Sequence, residues 1–481
     1  MIEVFDVSSL ALPALPANWH YRTVKEIGAS GEQPVLTGPF GTNLGCSDFI
    51  ETGVPLLTIG CLTQSGINLD KALFVSEAKA EELSRYRLKA GDLLFSRMAS
   101  VGRAGLVPKW LEGALFNYHI MRLRLDESRI DTRLFINYVR GAPQVRDYLK
   151  AVNHGATRDG INTEQLLGLP IAVPPIGEQR EIVAEIEKQF SRLDEAVANL
   201  QRVKANLKRY KASVLKDAVE GRLVATEAEL ARRDGRSFET GTQLLQRILE
   251  TRRSQWKGRG KYKEPGVVSK TDFPALPDGW AWATIEDLTY LVTSGSRGWG
   301  DFYSDVGVLF IRAQDIKSDS LREKSVARVD VPAGAEGSRS GVGENDILVT
   351  ITGANVTKSA LVPTLQEQAF VSQHVALLKL TFADTASFVF NWIVSPANGR
   401  KILEKWAYGA GKPGLSLEQI RTLPVALPPQ NEQHRIVAEI DRRLSLVLGV
   451  DGAVDANLKR AQALRQSTLS KAFTPVLGRK D

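Results

Sequence analysis

The chain has 481 residues, 43% hydrophobic and 24% charged, which is too long for one ordinary core and too apolar for a disordered protein. Its net charge of +7 suits a polyanionic partner without requiring one. Two cysteines, Cys46 and Cys61, make no disulfide framework, no run of 18 apolar residues occurs, and MIEVFDVSSLALPALP lacks the basic start of a secretory signal, so a cytoplasmic protein is expected.

In chain order, LPANW (15–19) opens a region of short β-type runs bounded by turn residues: VPLLTIG (54–60), GDLLFSR (91–97) and IMRLRL (120–125). TRLFINYVRG (132–141) reads as a helix, and Pro174-Pro175 then stops the preceding strand. A long proline-free stretch follows, with apolar residues at Ile182, Ile186, Phe190, Leu193, Val197, Leu200, Val203 and Leu207 in steps of three or four. That stripe predicts a helix in need of a partner. FETGTQLLQRILETRRSQW (238–256) predicts another helix, and KGRGKYKEPG (257–266) a basic linker. The second half repeats the plan: LPDGW (276–280), the β-type runs VLFIRA, DILVTIT and VALLKL, the helical ASFVFNWIV (386–394) and Pro428-Pro429. A second long helix then carries Ile436, Ile440, Leu444, Val447, Val454 and Leu458.

The repetition is explicit. LPIAVPPIGEQREIVAEI from Leu169 and LPVALPPQNEQHRIVAEI from Leu423 lie 254 residues apart and agree at twelve of eighteen positions. The same register, within one residue, matches Asp92 to Asp346, Val101 to Val356, His119 to His374 and Gly155-Ala156 to Gly409-Ala410. A period this long is duplication of a whole domain with its following helix, not a solenoid. At 1.5 Å per residue, a helix of about 44 residues reaches about 65 Å, more than a small domain needs to cover its core. Antiparallel packing of two such helices would place a reader at each end, related by a pseudo-twofold and suited to a duplex read at two patches.

Over essentially its whole length the chain resembles the specificity (S) subunits of type I restriction-modification systems. The resemblance rests on TGPFGTNLGCSDFIETGVPLLTIGCL (37–62), GDLLFSRMASVGRAGLVP (91–108), TSGSRGWGDFYSDVGVLFIRAQDIK (293–317) and DILVTITGANVTKSALVP (346–363). It also rests on the G-x-x-x-x-G-[IL] turns at 155–161 and 409–415 and on the LP-x-x-x-PP-x-x-EQ strings. The glycine-lysine usual in the second copy is here Thr357-Lys358. The resemblance implies an α+β fold with two pseudo-symmetric target-recognition domains, 1–176 and 268–430. Two long antiparallel helices would join them as a coiled-coil-like spacer, a central helix and linker at 177–267 pairing with a C-terminal helix at 431–481.

It further implies a non-catalytic chain that binds a split, asymmetric double-stranded DNA site, one half per domain. Two methyltransferase (M) subunits would dock on it and restriction/translocase (R) subunits would join through them, directing adenine-N6 methylation and ATP-dependent cleavage. S-adenosylmethionine, ATP and Mg would then belong to the partners, with no cofactor or metal in this chain, no membrane and no required homo-oligomer, in a prokaryotic cytoplasm.

Base readout needs forked donors, amides and hydroxyls on loops, with Lys and Arg on phosphates beside them. The turn-rich loops offer Thr42, Asn43, Ser96, Arg97, Arg103 and Arg158 in the first reader, and Ser294, Ser296, Arg297, Trp299, Lys358 and Lys412 in the second. Phe40, Phe302 and Tyr303 read as core or turn anchors.

Catalytic signatures are missing. VPPI and LPPQ lack the amide and aromatic of an aminomethyltransferase tetrad, and WAYGAGKPG (406–414) has Trp406 and Pro413 where a phosphate loop needs glycine and Ser or Thr. Glu77-Ala78-Lys79 is the charged face of a helix, and the five histidines have no ligand spacing. Against the DNA-reading subunit stand three alternatives: a specificity subunit of a defence complex lacking the nuclease, a self-sufficient methyltransferase or nuclease, and a coiled-coil scaffold with protein-binding ends.

Overall fold

The computed structural model describes residues 12–474, except 32, 41–42, 64–65, 99–100, 154–159, 257–260, 267–272, 296, 323–325, 332–336 and 409–412. Helices and sheets are mixed as an α+β fold requires. The chain divides into two compact units, Met1–Gln201 with Asp455–Asp481, and Arg202–Val454. Each unit contains one reader and one end of each long helix, a division different from the four segments read from the sequence.

In the first unit the opening strand His20–Thr23 pairs antiparallel with the closing strand Pro170–Val173. Between them lies an antiparallel sheet ordered Val35–Thr37, Ile120–Leu123, Leu93–Ser96, Ala104–Leu106. A second sheet is ordered Leu115–Phe116, Val54–Leu57, Leu73–Val75, Phe49–Ile50, its first pair parallel. Leu93–Ser96 and Ile120–Leu123 are buried at every position, which explains why their sequences run apolar without alternation. Asp92 carries a bidentate ion pair with Arg124 at 2.7 and 3.1 Å and accepts the Lys89 N–H, so its match to Asp346, which pairs with Lys379 and accepts the Gly343 N–H, is a buried turn anchor.

The second unit repeats this order. Ala281–Thr284 pairs with Pro424–Leu427, and the antiparallel sheet runs Thr289–Ser294, Val375–Leu380, Ile347–Thr350, Ser359–Leu361. The other sheet has five strands, Tyr303–Ser304, Ala327–Val329, Val308–Ile311, Ala369–Val371 and Gly341–Val342. Glu227–Asp234, which the sequence reading did not anticipate, and Gly241–Ser254, inside the predicted 238–256, are both helices. Leu244 and Ile248 are fully buried in the core with Ala283, Ile285 and Leu288, so this stretch is part of the reader's body rather than spacer.

Both long helices follow the proline pairs directly and have equal length: Ile176–Val219 and Gln430–Phe473, 44 residues each. Each first turn is clasped to the start of its own reader. Trp19 Nε1 donates to Glu178 at 2.9 Å and Trp280 Nε1 to Glu432 at 2.9 Å. The neighbouring Gln179 and Gln433 turn their Nε2 groups back to the carbonyls of Pro174 and Pro428. The most similar stretch of the repeat is thus the joint between reader and helix.

The apolar stripes split by depth. Ile182, Ile186 and Phe190 pack on the first reader's core, and Ile436, Ile440 and Leu444 on the second's. Farther along, Leu193, Val197, Leu200, Leu207, Val447 and Leu458 are half-buried and Val454 is buried, at the spacing of a helix seam. Within the first unit Gln189 meets Thr468 at 3.3 Å and Asp194 meets Arg465 at 2.8 Å, so numbers rise along one helix as they fall along the other and the packing is antiparallel. Leu469 and Phe473 close that unit's core, and Gly141 admits Leu469, since a Cβ there would lie 2.1 Å from the leucine Cβ. Among the described residues, no helix is long and apolar enough to cross a membrane.

Candidate nucleic-acid interface

In each reader four loops meet at one end of the antiparallel sheet. In the first, the chain leaves the strand Val35–Thr37 at Gly38, whose N–H donates to the Ile120 carbonyl. A Cβ on Gly38 would meet the Asn117 oxygen at 2.3 Å, so only glycine passes there. The hairpin turn 97–103 closes with Ser96 N–H on the Arg103 carbonyl at 2.8 Å and Arg103 N–H on Ser96 Oγ at 2.9 Å. The turn 117–120 is tied in through Arg97 N–H to the His119 carbonyl at 3.0 Å. Gly160 and Ile161 join the hairpin, with Met98 bridging Gly160 and Ile161 N–H donating to the Arg97 carbonyl.

The second reader makes the same knot with other side chains. Gly295 passes the 371–372 backbone, and a Cβ on it would lie 1.8 Å from the Val371 oxygen. Thr350 N–H donates to Lys358, Ile351 to His374 and Leu415 to Ile351, at 2.8, 3.0 and 2.8 Å. Thr352 bridges Gly414. Thr357 occupies the place of Gly102 and keeps its left-handed backbone, φ 71° against 92°. The departure from glycine-lysine therefore leaves the turn's shape intact, although it puts a β-branched residue in a conformation that disfavours it.

The described candidate residues belong to three of these four loops or to the strand ends that feed them. Asn43, Arg103 and Arg297 are exposed, Arg97, Ser294 and Lys358 half-buried. Arg97 Nε donates to the Ile161 carbonyl at 3.2 Å, pinning the hairpin to the backbone at Ile161. Two candidates point inward instead. Ser96 is fully buried and commits its Oγ to the Arg103 amide, because it ends a strand buried at every position. Trp299 is 8% exposed, stacked on Phe310 at 5.1 Å and against Phe370, and it serves the core. Thr42, Arg158, Ser296 and Lys412 lie outside the described residues.

The fourth loop was missed as a site. It presents Tyr118 and His119 in the first reader and Gln373 and His374 in the second. Phe40, expected to be an anchor, is 56% exposed and stacks on Tyr118 at 5.9 Å. Phe302 and Tyr303 are likewise exposed. Burial, then the Arg97 charge, holds the His119 imidazole below its ordinary range. His374 Nδ1 lies 2.5 Å from Thr352 Oγ1. The signal available was the repeat itself, which keeps both histidines in register. Beside the first hairpin turn a groove is lined by Gly102, Arg146 and Lys150, adding positive charge to this end.

The family described as type I restriction modification DNA specificity domain matches residues 16–209. The EcoBI specificity subunit of a type I restriction enzyme from Escherichia coli is 24% identical over 377 residues, 75% of this chain and 69% of its own length. This chain is similar to the type I specificity subunits. A putative MjaX specificity subunit from Methanocaldococcus jannaschii is 28% identical over 29% of this chain and 34% of its own length. A solved chain from a structure of complex assembly and conformational transition of the type I R-M system superposes with a TM-score of 0.61 at 17% identity. The superposition covers 97% of this chain and 100% of that chain, a likeness of fold.

Proposed function

We propose that this chain is a specificity subunit that reads a split, asymmetric DNA site, one half with each loop cluster, and chooses where partner subunits methylate adenine N6 and cleave with ATP. The observation that carries the reading is the duplicated cluster: the same four loops gathered at the end of a sheet in both units, bearing Asn43, Arg97 and Arg103 in one and Arg297 and Lys358 in the other. Amides and guanidinium forks are the groups that match base edges, and cations beside them neutralise phosphate. Chemistry would lie in two methyltransferase subunits and in restriction subunits joined through them, with S-adenosylmethionine, ATP and Mg bound there. Leu446, Leu448 and Val450, all exposed on the second long helix, support docking of a partner along it.

The test is binding of random and cognate duplex by the assembly containing the full chain at several salt concentrations. The expected result is log affinity falling linearly with log salt, since each neutralised phosphate releases counterion. A flat response would return the chain to the scaffold class.

A further inference from the structure

We infer that the duplication separates two roles within the loop clusters. Positions where both readers keep the same kind of group, a cation or an imidazole donor, hold phosphate, and positions where they differ read bases. The inference rests on the DNA-reading proposal above. Its physical basis is that two domains reading different half-sites share one need, the sequence-independent backbone, and differ in another, the pattern of donors and acceptors on base edges.

Arg103 and Lys358 are equivalent by hydrogen bonding. Each carbonyl accepts the amide of the strand's last residue, Ser96 or Thr350, at 2.8 Å, and each follows a left-handed residue, Gly102 or Thr357. A cation survives at this place although its guanidinium has become an ammonium, which keeps charge and discards the fork geometry that base reading needs. His119 and His374 are equivalent by the same test, through the amides of Arg97 and Ile351 at 3.0 Å. These four are assigned to phosphate.

The loop that begins at Gly38 and Gly295 behaves oppositely. Both glycines squeeze past the same backbone, then the loops diverge in length and content, reaching Phe49 eleven residues on in one and Tyr303 eight residues on in the other. Exposed Asn43 stands in the first and exposed Arg297 in the second. An amide pairs bidentately with adenine and a guanidinium with guanine, so these two are assigned as base readers of their respective half-sites. Met98 against Thr352 and Tyr118 against Gln373 differ at the same sheet end and fall in the reading class.

The experiment uses the assembly containing the full chain. Selection from a randomised duplex pool reads the sequence bound, and a salt titration on one duplex reads the phosphates engaged. R103A and K358A should each lower the salt slope by about one and leave the selected sequence unchanged, with K358R keeping the wild-type slope. The H119A/H374A double variant should weaken binding several-fold on every sequence alike. N43A and R297A should each lose about ten- to hundred-fold discrimination at a single base position, in different half-sites. A changed sequence from R103A or K358A, or a uniform loss with intact sequence from N43A and R297A, would overturn the division. Wild-type assembly that selects no sequence would instead sink the DNA-reading proposal itself. Circular dichroism confirms that each variant is folded, and N43D and R297K serve as second variants with the same expected half-site restriction.

Discussion

Thr357 shows how one residue reports on its loop. At φ 71° and 2% exposed, it holds by strain a turn that Gly102 holds freely at φ 92°. A non-glycine residue so placed costs about 1 to 3 kcal/mol, more than glycine's extra unfolded-state entropy of up to about 1 kcal/mol. T357G is therefore expected to raise the thermal midpoint and G102T to lower it, read by calorimetry; a drop for T357G would mean that the buried threonine side chain outweighs the strain. Glu227 offers a residue-scale test against pH. Burial raises its carboxyl, but Arg435 and then Arg236 outweigh that and hold it below 4.5. A depressed folded value means stability fully present above the ordinary carboxylate range and lost as pH falls from there through the lower folded value. E227Q should lose about 1 to 3 kcal/mol at pH 7, given that both arginines are partly solvated, and show a flatter fall in denaturant midpoints as pH drops below the ordinary carboxylate range. Glu432, which burial pushes up, acts in the opposite sense, and because the Glu227 charge also raises it, E227Q relaxes part of that opposing shift.

At the scale of elements, the joints matter more than the strands. Gly141 lets the last turns of the second long helix settle on the helix Thr132–Gly141, and Leu469 fills the space beside it. G141V should unseat Leu469 and Phe473 and lower stability by about 2 to 4 kcal/mol, seen as early amide exchange in residues 465–473 while the sheet stays protected. Protection unchanged along that segment would show the contact to be dispensable. Much at this scale was legible beforehand. The strands at 54, 93, 120, 308, 347 and 375, and the helices 132–141 and 386–394, follow from runs bounded by turn residues, because buried strands are apolar throughout and helix caps are local. Glu227–Asp234 was not legible: its moderate apolar face, Ala228 and Ala231, supports a helix only once the second reader's core is there to cover it.

For the whole molecule, modularity is the testable claim. Exchanging residues 20–168 for the equivalent part of a relative should change one half of the methylated sequence in the host genome and leave the other; a change in both halves would refute it. Inserting one helical turn within 190–210 should alter the unread gap or abolish assembly, and full activity with unchanged spacing would show that the helix sets no distance. The duplication, the long helices and the family likeness were all contained in the sequence, because repeats, proline stops and periodic apolar stripes are written in neighbouring residues. Which side chains face outward was not. Ser96 and Trp299 carry the right chemistry and turn into the core, whereas Phe40, Tyr118 and His119 stand at the loop cluster. That choice depends on strand ends more than fifty residues apart meeting at one sheet edge, and only tertiary packing brings them there.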